Sequence, residues 1–397
     1  MTWYAERYPF LSGDPALGED SPLQSLRTGR WVKLICGASY QDMPAIRCLA
    51  MLYTLAGVDC IDVAADPAVI AAAQGGVQDA RQLVARFGIS DCSLSDKKPW
   101  LMASLNDSKD PHFRKAYFDA THCPPDCSRP CAAVCPTEAI QFQALKVGGV
   151  ISDLCYGCGR CIPICPVSNI EAHFHQADIR SLSEVQHFDA VEIHTHIGQQ
   201  AAFAQLWERL TTVRPRLKLV SVSCPGGLGL EHYLKDLYAI MAPLSIPLIW
   251  QTDGRPMSGD LGKGTTHAAI RLAQRVLQLG LPGFVQLAGG TNHYTVDKLA
   301  ELNLLGADAL VPAKVGDGAG GGYPNGAIAG IAYGSYARKL VMPLLDNLEQ
   351  EVQTYLHTDG LQAIPAESSL MQGLQQVQQL VGKLKNYSSG VGSVGKT

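Results

Sequence analysis

Short runs of apolar and β-branched residues alternate along this chain with longer stretches in which apolar side chains recur every third or fourth position. Eight of the short runs are apolar enough for strands buried on both faces. They are WVKLICG around Val32, VDCIDVA around Ile61, WLMASLN around Met102, DAVEIHTH around Glu192, LKLVSVSC around Val220, IPLIWQTD around Ile249, GFVQLAG around Val285 and ADALVPA around Leu310. Helical periodicity fills the intervals. Pro44 to Ala56 opens with proline, Pro67 to Phe87 follows an aspartate able to cap it, and Gln199 to Val213 spaces its apolar residues at helical steps. Leu230 to Met241, Thr266 to Gln278 and Val296 to Leu304 continue the series, and Tyr333 to Leu348 closes it.

Eight strands alternating with seven helices, the third strand being followed by the insertion, predict an α/β protein, a (β/α)8 TIM-like barrel with parallel neighbouring strands; an open doubly wound sheet is the alternative. The division expected is an N-terminal arm (1–30), a first barrel part (31–108), a two-cluster ferredoxin-like α+β insertion after strand 3 (109–177), the rest of the barrel (178–350) and a C-terminal helical extension with a disordered tail (351–397). Without the arm, insertion and extension the chain has the length of a typical barrel, about 250 residues. In the extension, Leu370, Leu374, Val377, Val381 and Leu384 form one apolar helical stripe, expected to pack on its own barrel.

The insertion is set apart by its cysteines. Eight of the 13 in the chain fall in two runs, CPPDCSRPCAAVCP from Cys123 to Pro136 and CYGCGRCIPICP from Cys155 to Pro166. Thiolates at two-residue intervals with a final Cys-Pro are the ligand pattern of a cubane iron–sulfur cluster, and in two-cluster ferredoxins the fourth cysteine of each run ligates the other cluster. That rule assigns Cys155, Cys158, Cys161 and Cys135 to one 4Fe–4S cluster, and Cys123, Cys127, Cys131 and Cys165 to a second. The upstream run has three-residue gaps, which makes Cys123 and Cys127 the irregular ligands. Disulfides and tetrahedral zinc are the competing readings. The first needs an oxidising compartment, and MTWYAERYPFLSGDP lacks a basic start with an apolar core, so a cytoplasmic location is expected. The second commonly uses two CxxC pairs or histidine. Cys36, Cys48, Cys60, Cys92 and Cys224 read as buried small hydrophobes.

The predicted strand ends bring Cys36, Ser39, Asp62, Asn106, His194, His196, Cys224, Asp253, Asn292 and His293 to one barrel mouth. His194 and His196 share a strand face and read as polar lining. Gly289 and Gly290 in QLAGGTN, with GIAYGSYAR from Gly330 to Arg338, resemble a phosphate cradle and could seat FMN or another phosphate-bearing ligand. Lys314 to Ala327 reads as a lid.

With 47% hydrophobic and 17% charged residues, the 397-residue chain can bury a large core. Its longest apolar run, Cys48 to Val58, is too short to span a membrane. A net charge of −4 without a basic block argues against nucleic acid as a partner.

The two cysteine runs, preceded by WVKLICGASYQDMPAIRCLAMLYTLAGVDCIDVAADP and followed by LAGGTNHYTVDKL and GIAYGSYARK, resemble the light-dependent period (LdpA) family of cyanobacteria. The resemblance implies an iron–sulfur protein that relays photosynthetic redox state, and hence light, to the circadian clock, in contact with Kai proteins and input histidine kinases. Electron carriers are further expected partners. A redox sensor rather than an enzyme is the first reading. The second is an oxidoreductase in which the clusters feed a flavin at the mouth, for which no proton donor stands out among Cys36, Cys224, His194 and Lys314.

Overall fold

The computed structural model describes residues 21–89, 98–142, 148–177, 188–255, 262–306, 327–358 and 363–387. A capped turn of helix, α1 (Pro22–Arg27), leads into β1 (Trp31–Gly37), α2 (Met43–Leu55), β2 (Cys60–Ala64), α3 (Pro67–Phe87) and β3 (Trp100–Asn106). Local sequence sets these bounds. Asp66 Oδ1 accepts from the amides of Ala68 and Val69 at 2.8 and 3.2 Å, Pro67 occupies the first turn, and Gly88 stops α3 with a left-handed φ of 63°.

After Asn106 the chain leaves the barrel. It forms β4 (Arg114–Tyr117), α4 (Pro130–Ala133), β5 (Ile140–Phe142), β6 (Gly148–Val150), α5 (Cys161–Ile164) and β7 (Glu171–Phe174) before returning at β8 (Ala190–His194). In this excursion β4 pairs with β7 and β5 with β6, both antiparallel. The barrel then continues through α6 (Gln200–Arg209), β9 (Leu219–Pro225), α7 (Leu230–Met241), β10 (Leu248–Asp253), α8 (Thr266–Leu277), β11 (Phe284–Ala288), α9 (Thr295–Glu301) and β12 (Gly330–Tyr333). Eight parallel strands close in the order β1-β12-β11-β10-β9-β8-β3-β2. Three helices follow: α10 (Ser335–Val341), α11 (Leu345–His357) and α12 (Ser369–Lys385).

Seven of the eight expected strands lie in the ring. The ring closes through Gly330–Tyr333, which pairs with β11 and β1; the run expected as the eighth strand, around Leu310, lies outside the described residues. A Cβ at Gly330 would sit 2.4 Å from the Trp31 carbonyl oxygen, so the glycine that looked like part of an anion cradle is there for strand packing. The single helix expected from Tyr333 to Leu348 is likewise corrected. Tyr333 ends β12, and a 3-10 turn containing Pro343 separates α10 from α11.

The barrel interior is polar at its centre. Lys33 is fully buried and contacts both Glu192 and, at 3.1 Å, Asp62. Glu192 also accepts from Ser221 Oγ at 3.0 Å and Gln251 Nε2 at 2.6 Å, and Asp62 from Ser104 Oγ at 2.7 Å. The carboxylates offset the cost of burying the ammonium and hold it charged. Outside the ring, the predicted stripe of α12 (Leu370, Leu374, Val377, Val381, Leu384) is buried in the main core. The tail after it lies outside the described residues, as do Cys92 and residues 314–326 of the expected lid.

Candidate metal centre

The excursion is built from a repeated device. Cys131–Ile140 and Cys161–Ile170 each run cysteine, a single helical turn, Cys-Pro, a non-glycine residue at φ 52° (Glu138, Ser168) and a buried isoleucine. The left-handed residue turns the chain back on the sulfur. Ala139 N–H donates to Cys135 Sγ at 3.2 Å, and Asn169 N–H to Cys165 Sγ at 3.3 Å. Ala116 N–H donates to Cys155 Sγ and Arg129 N–H to Cys127 Sγ, both at 3.4 Å. Phe118, Ile140 and Ile170 form a small apolar core with Cys131 and Cys161, against which Cys123, Cys135 and Cys165 pack. Amide donors to sulfur inside an apolar shell are the surroundings that tune an iron–sulfur cluster.

The downstream loop is clamped by Arg114. Its Nε donates to the Gly157 carbonyl at 2.8 Å and its Nη2 to the Cys158 carbonyl at 3.2 Å. Gly157 and Gly159 have φ near 75°, and a Cβ on either would fall about 2 Å from Arg114 atoms. Tyr156 carries the loop onto the barrel. Its buried ring lies under the Arg338 guanidinium at 4.4 Å and edge-on to Tyr40 at 6.3 Å. Arg338 in turn donates to the carbonyls of Ile35 and Cys36 at 2.9 and 3.0 Å, at the end of β1.

The thiols sort into two neighbourhoods. Cys161 is pushed up to about 12 by burial first, then by the charges of Cys158, Cys155 and Cys135. Burial also raises Cys158, with Cys135 and Cys155 adding to it. For Cys131 burial is again the main cause, and the thiols that add to it are Cys165 and Cys123. The hydrogen bonds sort the same way: Asn169 donates to both Cys165 Sγ at 3.3 Å and Cys123 Sγ at 3.7 Å, and Thr137 Oγ1, 3.8 Å from Cys135 Sγ, donates to the Leu154 carbonyl next to Cys155. Among the described residues, no three of the eight thiols gather within 4.8 Å of one another. A single tetrahedral ion with bonds of about 2.3 Å would draw four sulfurs to about 3.8 Å apart. Soft donors at wider spacing fit a cluster better than one zinc ion.

Asn106, His194 and Asp253 end β3, β8 and β10, whereas Asp62 lies in the middle of β2, and several of the mouth side chains are already engaged. Asn106 Nδ2 donates to the carbonyls of Ser108 and His175, and its Oδ1 accepts from Ala177 N–H, so one side chain ties both ends of the excursion to β3. Asp62 belongs to the Lys33 network, Asp253 accepts from Ser223, and Asn292 donates to Gly262 O and Thr265 Oγ1. Cys36, Cys48, Cys60 and Cys224 are buried. At Gly289 and Gly290, with φ of 62° and 105°, the space for a Cβ is filled by backbone of residues 253–255 and of Thr265. Close approach of loops and a positive φ require glycine at both positions.

The sequence reading missed Arg114, Tyr156, Arg338, Lys33 and Glu192. For Lys33 and Glu192 the signal was a charge within an otherwise apolar strand run. Arg114 and Arg338 gave none, because their partners are remote in sequence.

Fold and site together define an iron–sulfur protein built on an eight-stranded α/β barrel. Residues 123–176 match the LdpA Fe-S cluster-binding domain, and residues 182–383 match the light dependent period A C-terminal domain. A curated relative, "Light dependent period A" of Synechococcus elongatus, is 46% identical over 346 residues, covering 86% of this chain and 90% of its own. The chain belongs to the light dependent period A family. No helix of the described residues is long and apolar enough to cross a membrane.

Proposed function

We propose that the excursion is a ferredoxin-like module holding two 4Fe–4S clusters, one on Cys155, Cys158, Cys161 and Cys135 and the other on Cys123, Cys127, Cys131 and Cys165. The observation that carries this reading is that Asn169 donates to the sulfurs of both Cys165 and Cys123, at 3.3 and 3.7 Å, while Thr137 Oγ1 lies 3.8 Å from Cys135 Sγ and donates to the Leu154 carbonyl beside Cys155, which fits the crossing of a two-cluster module. Bound clusters supply one-electron chemistry at the barrel rim. The protein senses redox state, and through it light, for the circadian clock; its partners are clock proteins, input kinases and electron carriers in the cytoplasm. Family membership supports the light-dependent timing role, and the Tyr156–Arg338 contact offers a route by which a charge change in the module reaches β1.

Anaerobic purification followed by assay of iron, sulfide and flavin tests the reading. About eight irons and eight sulfides per chain, without flavin, are expected. Four or fewer irons would remove the upstream run from the ligand set. Stoichiometric flavin would instead favour an oxidoreductase with its phosphate at Gly289 and Gly290.

A further inference from the structure

We propose that Asp110, His112 and His194 form a separate mononuclear site, beneath the cysteine module, for one divalent first-row transition ion such as Fe(II) or Zn(II). One ligand atom from each residue lies within 4.8 Å of the others. An ion with bonds of about 2.1 Å needs its donors about 3.0–3.4 Å apart, so a small closure completes the set. Sequence hides this convergence, since His194 comes from the end of β8 while Asp110 and His112 come from the turn that follows β3.

Each donor is held from behind. Asp110 is 3% exposed. Its Oδ1 lies 2.7 Å from both the backbone nitrogen and the Nδ1 of His112, and its Oδ2 lies 3.5 Å from His196 Nε2. Glu192 Oε1 takes His194 Nε2 at 3.2 Å, and Ser104 Oγ lies 3.5 Å from the same nitrogen. That leaves His194 Nδ1 to face a ligand. A carboxylate backing one ring nitrogen is how proteins orient a metal-binding histidine, and here Glu192 is itself fixed by Lys33, Ser221 and Gln251. The edge of the Phe113 ring at 5.2 Å and the His112 ring at 4.9 Å fix the plane of the His194 imidazole.

A plain histidine–aspartate hydrogen bond accounts for His112 and Asp110 alone. It does not account for the His194 ring closing on that of His112 at 4.9 Å, for His196 Nε2 approaching the Asp110 carboxylate at 3.5 Å, or for His196 Nδ1, a buried ring nitrogen with no hydrogen-bond partner. Two imidazoles and one carboxylate suit borderline ions rather than calcium or magnesium, which prefer oxygen, or copper(I), which prefers sulfur. Three protein donors leave coordination positions for water or a small ligand.

The test is anaerobic zinc titration of the full-length protein, with iron and sulfide measured on the same sample. Wild type and His173→Ala, which alters an exposed histidine of the same module, are expected to take up one equivalent of Zn(II). Asp110→Asn, His112→Ala and the shape-preserving His112→Gln should weaken that uptake at least tenfold while retaining iron and sulfide. No stoichiometric uptake by the wild type overturns the site, and so does uptake by all three variants equal to wild type. The iron and sulfide count judges the cluster reading and zinc uptake judges this one, so either can fail alone.

Discussion

Gly157 is the residue on which the downstream cysteine loop turns. Its φ of 75° is strained for any side chain, and a Cβ would lie 2.2 Å from the Arg114 carbonyl oxygen. Gly157→Ala is therefore expected to displace Cys155 and Cys158 and to lower iron from about eight to about four per chain, with the upstream set retained. Unchanged iron would show that the loop accommodates the methyl group. The cysteines outside the module give a second residue-level prediction. Burial pushes the thiols of Cys36 and Cys48 up to about 12, so both stay protonated and unreactive well above neutral pH. Mass spectrometry after iodoacetamide treatment at pH 8 should find Cys36, Cys48, Cys60 and Cys224 unmodified in the folded protein and modified once it is denatured. At this scale the eight cysteines of the module stood out by their spacing alone. The residues that hold them were not, because Arg114 meets Gly157 and Arg338 meets Tyr156 only after the chain has folded.

Among the elements, those with local punctuation were read correctly. Pro67–Phe87 carries its cap, its proline and its stopping glycine within its own sequence, and its bounds agree with the structure. Leu230–Met241 was also placed to the residue by its amphipathic pattern. The strand that closes the ring was missed because a four-residue GIAY run has no independent strand signal; its neighbours β1 and β11 impose its conformation through the register Trp31↔Gly330 and Gln286↔Gly330. Gly330→Val should then be among the costly single changes in the barrel. It drives a branched side chain into the Trp31 backbone, with an expected loss of about 2–4 kcal/mol. Urea unfolding measures it, and a loss below about 0.5 kcal/mol, the range of ordinary surface changes, would contradict the close-packing account.

At the scale of the whole molecule, barrel and module meet through Tyr156, Tyr40 and Arg338 on one side and through Asn106 on the other. Tyr156→Ala leaves every thiol in place but removes the ring between module and barrel. Iron content should hold while hydrogen exchange quickens in the loop around Cys155 and at the end of β1; unchanged exchange at β1 would mean that the two parts are not coupled there. The overall α/β alternation and the position of the excursion were legible because each is written in local pattern. How the two parts join was not, since it depends on contacts between segments far apart in the chain.

The path of the backbone has a further consequence for a newly made chain. Strands β3 and β8 are neighbours in the ring, yet everything between Asn106 and Ala190 must be synthesised before they can pair. The proposed cluster on Cys123 and Cys165 would roughly halve that loop and so lower the entropic cost of ring closure by about 0.6 kcal/mol, close to a threefold change in rate. Iron supply in the growing cell would then govern not only how many molecules carry electrons but how promptly each one becomes a finished barrel.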